Sequence, residues 1–195
     1  MKSSHALRYG EQPIVGTGRN YVHEGATVGE RIRVGLLTPT LLFGGAERWV
    51  AALAVGLDPT RFRVTGVAIR DSGQIFPAIA DKVMRRCPIL QGRDSLDTLA
   101  LASDVLIAWG IPDLTMLAEF RGRVVFVGHG HCEWSVNCVR SCLPYATHWA
   151  AVSRAATASF PDPSRVTVVH NGIDTERCAP RSEERRVGKE CRSRW

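Results

Sequence analysis

The sequence predicts an α/β protein, a parallel sheet with helices on both faces. Three observations carry that expectation. Apolar runs such as Arg33-Val34-Gly35-Leu36-Leu37-Thr38 and Asp104-Val105-Leu106-Ile107-Ala108-Trp109 lack polar alternation, as strands covered on both faces do. Between such runs lie segments with apolar residues at helical spacing. Strands that alternate with helices at this interval need crossover connections, which make neighbouring strands parallel and are nearly always right-handed.

Taken in order, the first strand spans Ile32 to Thr38, and Pro39 to Gly45 form a loop ending in two glycines. From Ala46 to Leu57 the residues Trp49, Val50, Leu53, Ala54 and Leu57 make a helical stripe, with Glu47 and Arg48 off it. The alternation repeats with a strand at 62–69, a helix at 75–86, a short strand at 88–90 and a helix at 95–102. A buried strand at 104–109, a helix at 112–120 and a strand at 124–127 follow. Residues 134–143 read as helix, 149–152 as strand, 153–160 as a short helix and 166–169 as a final strand. The fold class is a Rossmann-like, doubly wound parallel sheet over residues 32–178.

Residues 1–31 are polar and glycine-rich without periodicity and read as a disordered leader. The Gly16-Thr17-Gly18 pair there follows no buried strand, so it is a weak phosphate-loop signal. Residues 179–195 read as an unstructured tail. From Arg181 onward it is similar to a translated sequencing-adapter sequence, and an artefactual origin is expected, against the alternative of a natural basic tail. The net charge of +6 is concentrated there: residues 181–195 hold six Lys or Arg and three Asp or Glu. Positions 1–180 are only mildly basic, with no ladder of aromatic and basic residues, so nucleic acid is not an expected partner.

With 195 residues, 45% hydrophobic and 23% charged, the chain can bury one sizeable core. No run approaches the roughly 18 apolar residues of a membrane-spanning helix, and no apolar signal-peptide core follows Met1. The expected compartment is the cytoplasm. The six cysteines, Cys87, Cys132, Cys138, Cys142, Cys178 and Cys191, contain no Cys-x-x-Cys pair and read as reduced thiols. A zinc site from Cys132, Cys138 and Cys142 with His129 and His131 is the alternative, disfavoured by its irregular spacing.

In an open parallel sheet, ligands bind beyond the carboxyl ends of the strands, so the residues just after each strand are the candidates. Here they are Gly44-Gly45, Trp109-Gly110, His129-Gly130-His131, Ser153 and His170-Asn171-Gly172. The glycine pair opens a helix, where backbone and dipole suit an anionic diphosphate; a plain tight turn is the other reading. His129, between a strand end and a glycine, can reach a ligand hydroxyl. Ser153 reads first as a helix cap, and Asn171-Gly172 reads equally as a turn.

The strand followed by Gly44-Gly45-Ala46-Glu47-Arg48, the histidine after the fifth strand, the Val152-Ser153 step and Val168-Val169-His170-Asn171-Gly172-Ile173-Asp174 followed by Pro180 resemble the amino-terminal domain of family 4 glycosyltransferases. The resemblance covers residues 33–180. It implies a GT-B architecture, with two Rossmann-like domains facing across a cleft, the acceptor held mainly by the first and the nucleotide-sugar mainly by the second. It implies retention of configuration without a metal or other cofactor. It places Gly45 at the donor diphosphate and His129 as the catalytic residue near the transferred sugar; by their position after strands, Gly44 is expected beside the donor as well, and Trp109, His131 and Ser153 towards the acceptor. The implied partners are a nucleotide-sugar and a glycan or lipid-linked acceptor, the latter met at the inner face of the cell membrane. The carboxyl-terminal domain of that family has no counterpart here, so the fragment is expected to be inactive alone. The alternatives are a stand-alone Rossmann-like binding module and a sugar-nucleotide 2-epimerase fragment.

Overall fold

The computed structural model describes residues 30–70, 75–92, 94–111 and 114–173. The expected leader up to residue 29, the tail from 179, Asp174, Pro180, Cys178 and Cys191 lie outside the described residues. Seven strands, β1 (Ile32–Thr38), β2 (Phe62–Ile69), β3 (Ile89–Leu90), β4 (Val105–Ala108), β5 (Arg123–Gly128), β6 (His148–Ala151) and β7 (Thr167–Val168), form one parallel sheet in the order β3-β2-β1-β4-β5-β6-β7. Four α-helices connect them: α1 (Gly45–Gly56), α2 (Pro77–Met84), α3 (Ser95–Ala102) and α4 (Glu133–Cys142). This is a Rossmann-like α/β fold. The strand order reverses between β1 and β4, and a crevice opens at such a switch point.

Two apolar layers hold the helices to the sheet. On one face Val34, Leu36, Val67 and Ile69 pack with Val50, Ala51 and Ala54 of α1 and Ile79 and Val83 of α2. On the other, Leu37, Ala68, Leu106, Ala108 and Phe126 pack with Leu96 and Leu99 of α3 and Cys138, Val139 and Cys142 of α4. Alternate residues of one strand thus feed opposite layers, as Leu36 and Leu37 do, which explains why β1 reads as an unbroken apolar run.

Glycines set how closely α3 approaches. Gly35 and Gly66 are register partners across β1 and β2. A Cβ on Gly35 would lie 2.6 Å from Ser103 Oγ and 2.7 Å from Leu99 and Leu106 side-chain atoms, so a larger residue would push the helix off the sheet. The β1–β2 register shifts between Val34 and Gly35, and the Val34 carbonyl accepts a hydrogen bond from Thr65 Oγ1 at 3.1 Å. At the amino ends of β1 and β4, the Asp104 carboxylate accepts from the Arg33 backbone N–H at 2.8 Å and from its guanidinium, tying the two central strands together away from the crevice.

One expected element is much reduced. Of the helix expected over 112–120, the described residues form only a single 3-10 turn, Thr115–Leu117. Leu114 and Leu117 are both buried, and their spacing of three matches the three residues per turn of a 3-10 helix, so one tight turn seats both in the core. The short helix expected over 153–160 is likewise a 3-10 segment, Ala155–Ser159.

Candidate functional site

The carboxyl ends of β1, β4, β5 and β6 are followed by the Pro39–Gly45 loop, Trp109, His129 and Val152-Ser153. The Trp109 N–H donates to the Leu37 carbonyl at 3.2 Å, which continues the β1–β4 pairing and fixes Trp109 at the crevice. Gly110 follows at φ +60°, a left-handed conformation that glycine adopts without strain. A Cβ there would come within 2.9 Å of the Trp134 ring and 3.2 Å of Pro39. The chain therefore turns sharply after β4, and the turn is the floor on which Trp134 rests.

Four rings meet at this point. His129 makes an edge contact with Trp49 of α1, centroids 4.7 Å apart at 71°, and a tilted contact with Trp109 at 5.1 Å. Trp109 in turn meets Trp134, in the first turn of α4, at 6.3 Å and 71°. Trp109 is 8% exposed, whereas Trp134 is 49% exposed. Two polar atoms in the cluster, Trp109 Nε1 and His129 Nε2, are buried with no hydrogen-bond partner among the described residues. Native structures rarely leave such atoms unsatisfied, and each costs roughly 1–3 kcal/mol relative to a bonded state. Burial pushes the His129 pKa down from 6.5 to about 4, so the ring is neutral at pH 7.

The glycine pair divides into two environments. Gly44 is the residue before α1, and the space where its Cβ would sit is taken by Oε2 of the Glu47 carboxylate. Glu47 is 9% exposed and its Oε1 accepts from Thr40 Oγ1 at 3.0 Å. The expectation that Glu47 lies off the buried stripe is thus overturned: its carboxylate folds back over the start of α1. Gly45 faces open space, with nothing within 4 Å of a built Cβ, beside the outward N–H groups of the first helical turn.

Of the remaining expected residues, His131 is exposed on the loop into α4 and takes no part in the ring contacts. Ser153 Oγ accepts from the Ala156 N–H at 3.1 Å, just ahead of the 3-10 segment Ala155–Ser159. His170 is exposed, with Nδ1 3.2 Å from the Val152 carbonyl, and Asn171 and Gly172 are exposed beyond β7. Beside Gly45, Leu42, Phe43 and Phe76 form an exposed apolar lip, with the Arg48 guanidinium 4.1 Å over the Phe43 ring. Cys138 and Cys142 are buried in the core while Cys132 is exposed at the start of α4, and among the described residues no group of three His, Cys, Asp or Glu is placed to hold a metal. Among them, too, no helix is long and apolar enough to cross a membrane.

The Rossmann-like fold has counterparts among solved structures. The chain is similar to the Alr3699/HepE protein of Anabaena, solved in complex with UDP-glucose (TM-score 0.58, 15% identity), with UDP and glucose (0.56, 15%) and with UDP (0.54, 16%). Each alignment covers 83% of this chain and 50% of the other, so the chain spans about half the length of those proteins. At that identity the likeness speaks for the fold. No protein-family model matches the chain, and no curated protein does.

Sequence reasoning missed two members of the cluster. Trp49 is assigned by its spacing to the helical stripe, and Trp134 only to the start of a helix. The available signal was that tryptophans stand within one helical turn of two crevice loops, a placement that packing alone does not require.

Proposed function

We propose that residues 32–178 are the acceptor-side domain of a nucleotide-sugar-dependent glycosyltransferase, with His129 at the reacting sugar. The observation that carries this reading is the pair of buried, unpartnered nitrogens, Trp109 Nε1 and His129 Nε2, at the carboxyl ends of β4 and β5 beside the switch point. Open α/β sheets bind ligands there, and neutral donors and acceptors held in a water-poor crevice suit sugar hydroxyls. The likeness of the fold to a protein solved with UDP-glucose agrees with this. The family 4 resemblance adds retention of configuration and metal-independent departure of the diphosphate.

Gly45 is the better half of the glycine pair for the donor diphosphate, because its flank is open and the start of α1 carries partial positive charge. At Gly44 the Glu47 carboxylate already occupies that flank and would repel a phosphate. The apolar lip of Leu42, Phe43 and Phe76 with Arg48 suits a lipid-linked acceptor. Trp109, Ser153 and the exposed His131 are proposed on the acceptor side.

A second, donor-holding domain is part of the proposal, since holding two substrates in reactive geometry is worth roughly 7–11 kcal/mol of the barrier. The test assays this chain beside a version extended with its natural downstream sequence, using a panel of nucleotide-sugars and following nucleoside diphosphate release. Turnover confined to the extended chain is expected. In that enzyme His129→Ala should lower kcat on the order of a hundredfold with the melting temperature nearly unchanged. No turnover with any nucleotide-sugar would overturn the reading.

A further inference from the structure

We infer that Trp134 and Trp109 form a corner that takes one neutral sugar ring, with Trp134 under the ring's apolar C–H face and Trp109 Nε1 and His129 Nε2 bonding its hydroxyls. This rests on the reading of the crevice as a sugar site and names two residues that recognise the sugar within it. Three features of the cluster support it.

The first is shape. The Trp109 and Trp134 planes stand at 71°, which leaves a corner and not the parallel slot that would clamp a flat nucleobase. A pyranose presents an apolar face of C–H bonds and an equator of hydroxyls, so two surfaces at a wide angle match it: one indole face below, one indole edge beside. The second is charge. The four rings Trp49, Trp109, His129 and Trp134 carry no formal charge at pH 7, and burial keeps the imidazole neutral. A corner without charge suits an uncharged polyol and offers nothing to a phosphate or carboxylate. The third is the hydrogen-bonding vacancy. An indole N–H only donates, whereas a neutral imidazole nitrogen donates or accepts by tautomer, and a hydroxyl partners either.

Both nitrogens are shielded from water in this arrangement, so a hydroxyl reaches them only when a ring gives way. Trp134 is the ring placed to do so. It is half-exposed, in the first turn of α4, and its far edge rests on Gly110, where no side chain blocks it. Trp49 and Trp109 are held by α1 and by the end of β4. Trp134 is therefore the ring of the cluster freest to move and the platform once the sugar ring is seated.

The experiment uses the 195-residue chain labelled with 15N at its tryptophans, whose indole N–H signals are followed by NMR. The probes are methyl α-D-glucopyranoside, a panel of neutral disaccharides, and UDP. Saturable movement of the Trp109 and Trp134 signals by at least one saccharide, with no movement of either by UDP, is expected. Trp134→Ala should weaken that saccharide about tenfold, the equivalent of about 1.4 kcal/mol, while Trp134→Phe retains most of the affinity. Because Trp134 is half-exposed, both variants should keep the wild-type melting temperature, which the same samples report. Movement by UDP but by no saccharide, equal saccharide affinity in Trp134→Ala, or no response to any probe would each overturn the inference. Nucleotide-sugar turnover by the extended enzyme together with any of these results would leave the transferase reading standing; saccharide binding without turnover would do the reverse.

Discussion

Replacing His129 by phenylalanine separates the chemistry of the imidazole from its packing. The ring sits between Trp49 and Trp109, and burial lowers its pKa from 6.5 to about 4. Between those values the unfolded chain binds a proton that the folded chain refuses, so folding stability rises with pH across that window and is lost as pH falls through it. At about 1.4 kcal/mol per pKa unit the ceiling is about 3 kcal/mol. Partial solvent access to the ring screens the charge, and a loss of about 1–2 kcal/mol between pH 7 and pH 4.5 is expected. Phenylalanine keeps an aromatic ring and cannot be protonated. Urea denaturation of both proteins at a series of pH values isolates the effect: the wild type should lose stability relative to His129→Phe as the pH drops from 6.5. At pH 7.5 the variant should equal or exceed the wild type, because it no longer buries an unpartnered nitrogen. A stability difference independent of pH, or one that favours the wild type in acid, would refute the account of a buried neutral imidazole.

Two other perturbations follow from the same geometry. Gly110→Ala forces a side chain into the left-handed region and against Trp134 and Pro39, and should destabilise the fold by about 1–3 kcal/mol in thermal or urea unfolding. Among the four described cysteines, Cys132 should alkylate first with iodoacetamide near neutral pH, as read by peptide mass mapping. Its thiol is exposed and the Ser135 hydroxyl and nearby backbone N–H groups lower its pKa, whereas burial raises Cys87 and Cys138 to about 11. Faster labelling of Cys87 or Cys138 would contradict the packing described for them.

The sheet was legible in the sequence because parallel strands buried on both faces declare themselves as apolar runs, as residues 34–37 of β1, 67–69 of β2, 105–108 of β4 and 124–127 of β5 do. Helix α3 was legible to the residue, since Ser95 to Ala102 is bounded by polar loops. The 112–120 segment misled because Leu114 and Leu117, buried and spaced by three, satisfy a 3-10 turn as well as a helix. In the candidate site, Trp109 and His129 were singled out by position, as residues at strand ends beside the switch point, and the structure brings their rings into contact. Glu47 was not, because its burial depends on glycine at 44 leaving room for a carboxylate, a relation between two residues that no periodicity records. Trp134 was not either: its place over Gly110 follows from how α4 enters after β5, a tertiary fact. Ser153 showed its two readings openly, and the hydrogen bond from Ala156 is compatible with both.

The position of β1 in the sheet bears on how the protein is made. Its two hydrogen-bonded neighbours lie far apart along the chain, β2 at 62–69 and β4 at 105–108. A chain leaving the ribosome can pair β1 with β2 and then β3 at once, but the other edge of β1, carrying Leu36 and Leu37, stays open until β4 emerges. Pairings so distant in sequence are slow to form, and an unpaired apolar edge is a template for wrong partners. The crevice is therefore the last part of this half of the sheet to exist, and a nascent chain stalled before residue 105 would present its most hydrophobic strand to whatever chaperone or neighbour meets it first.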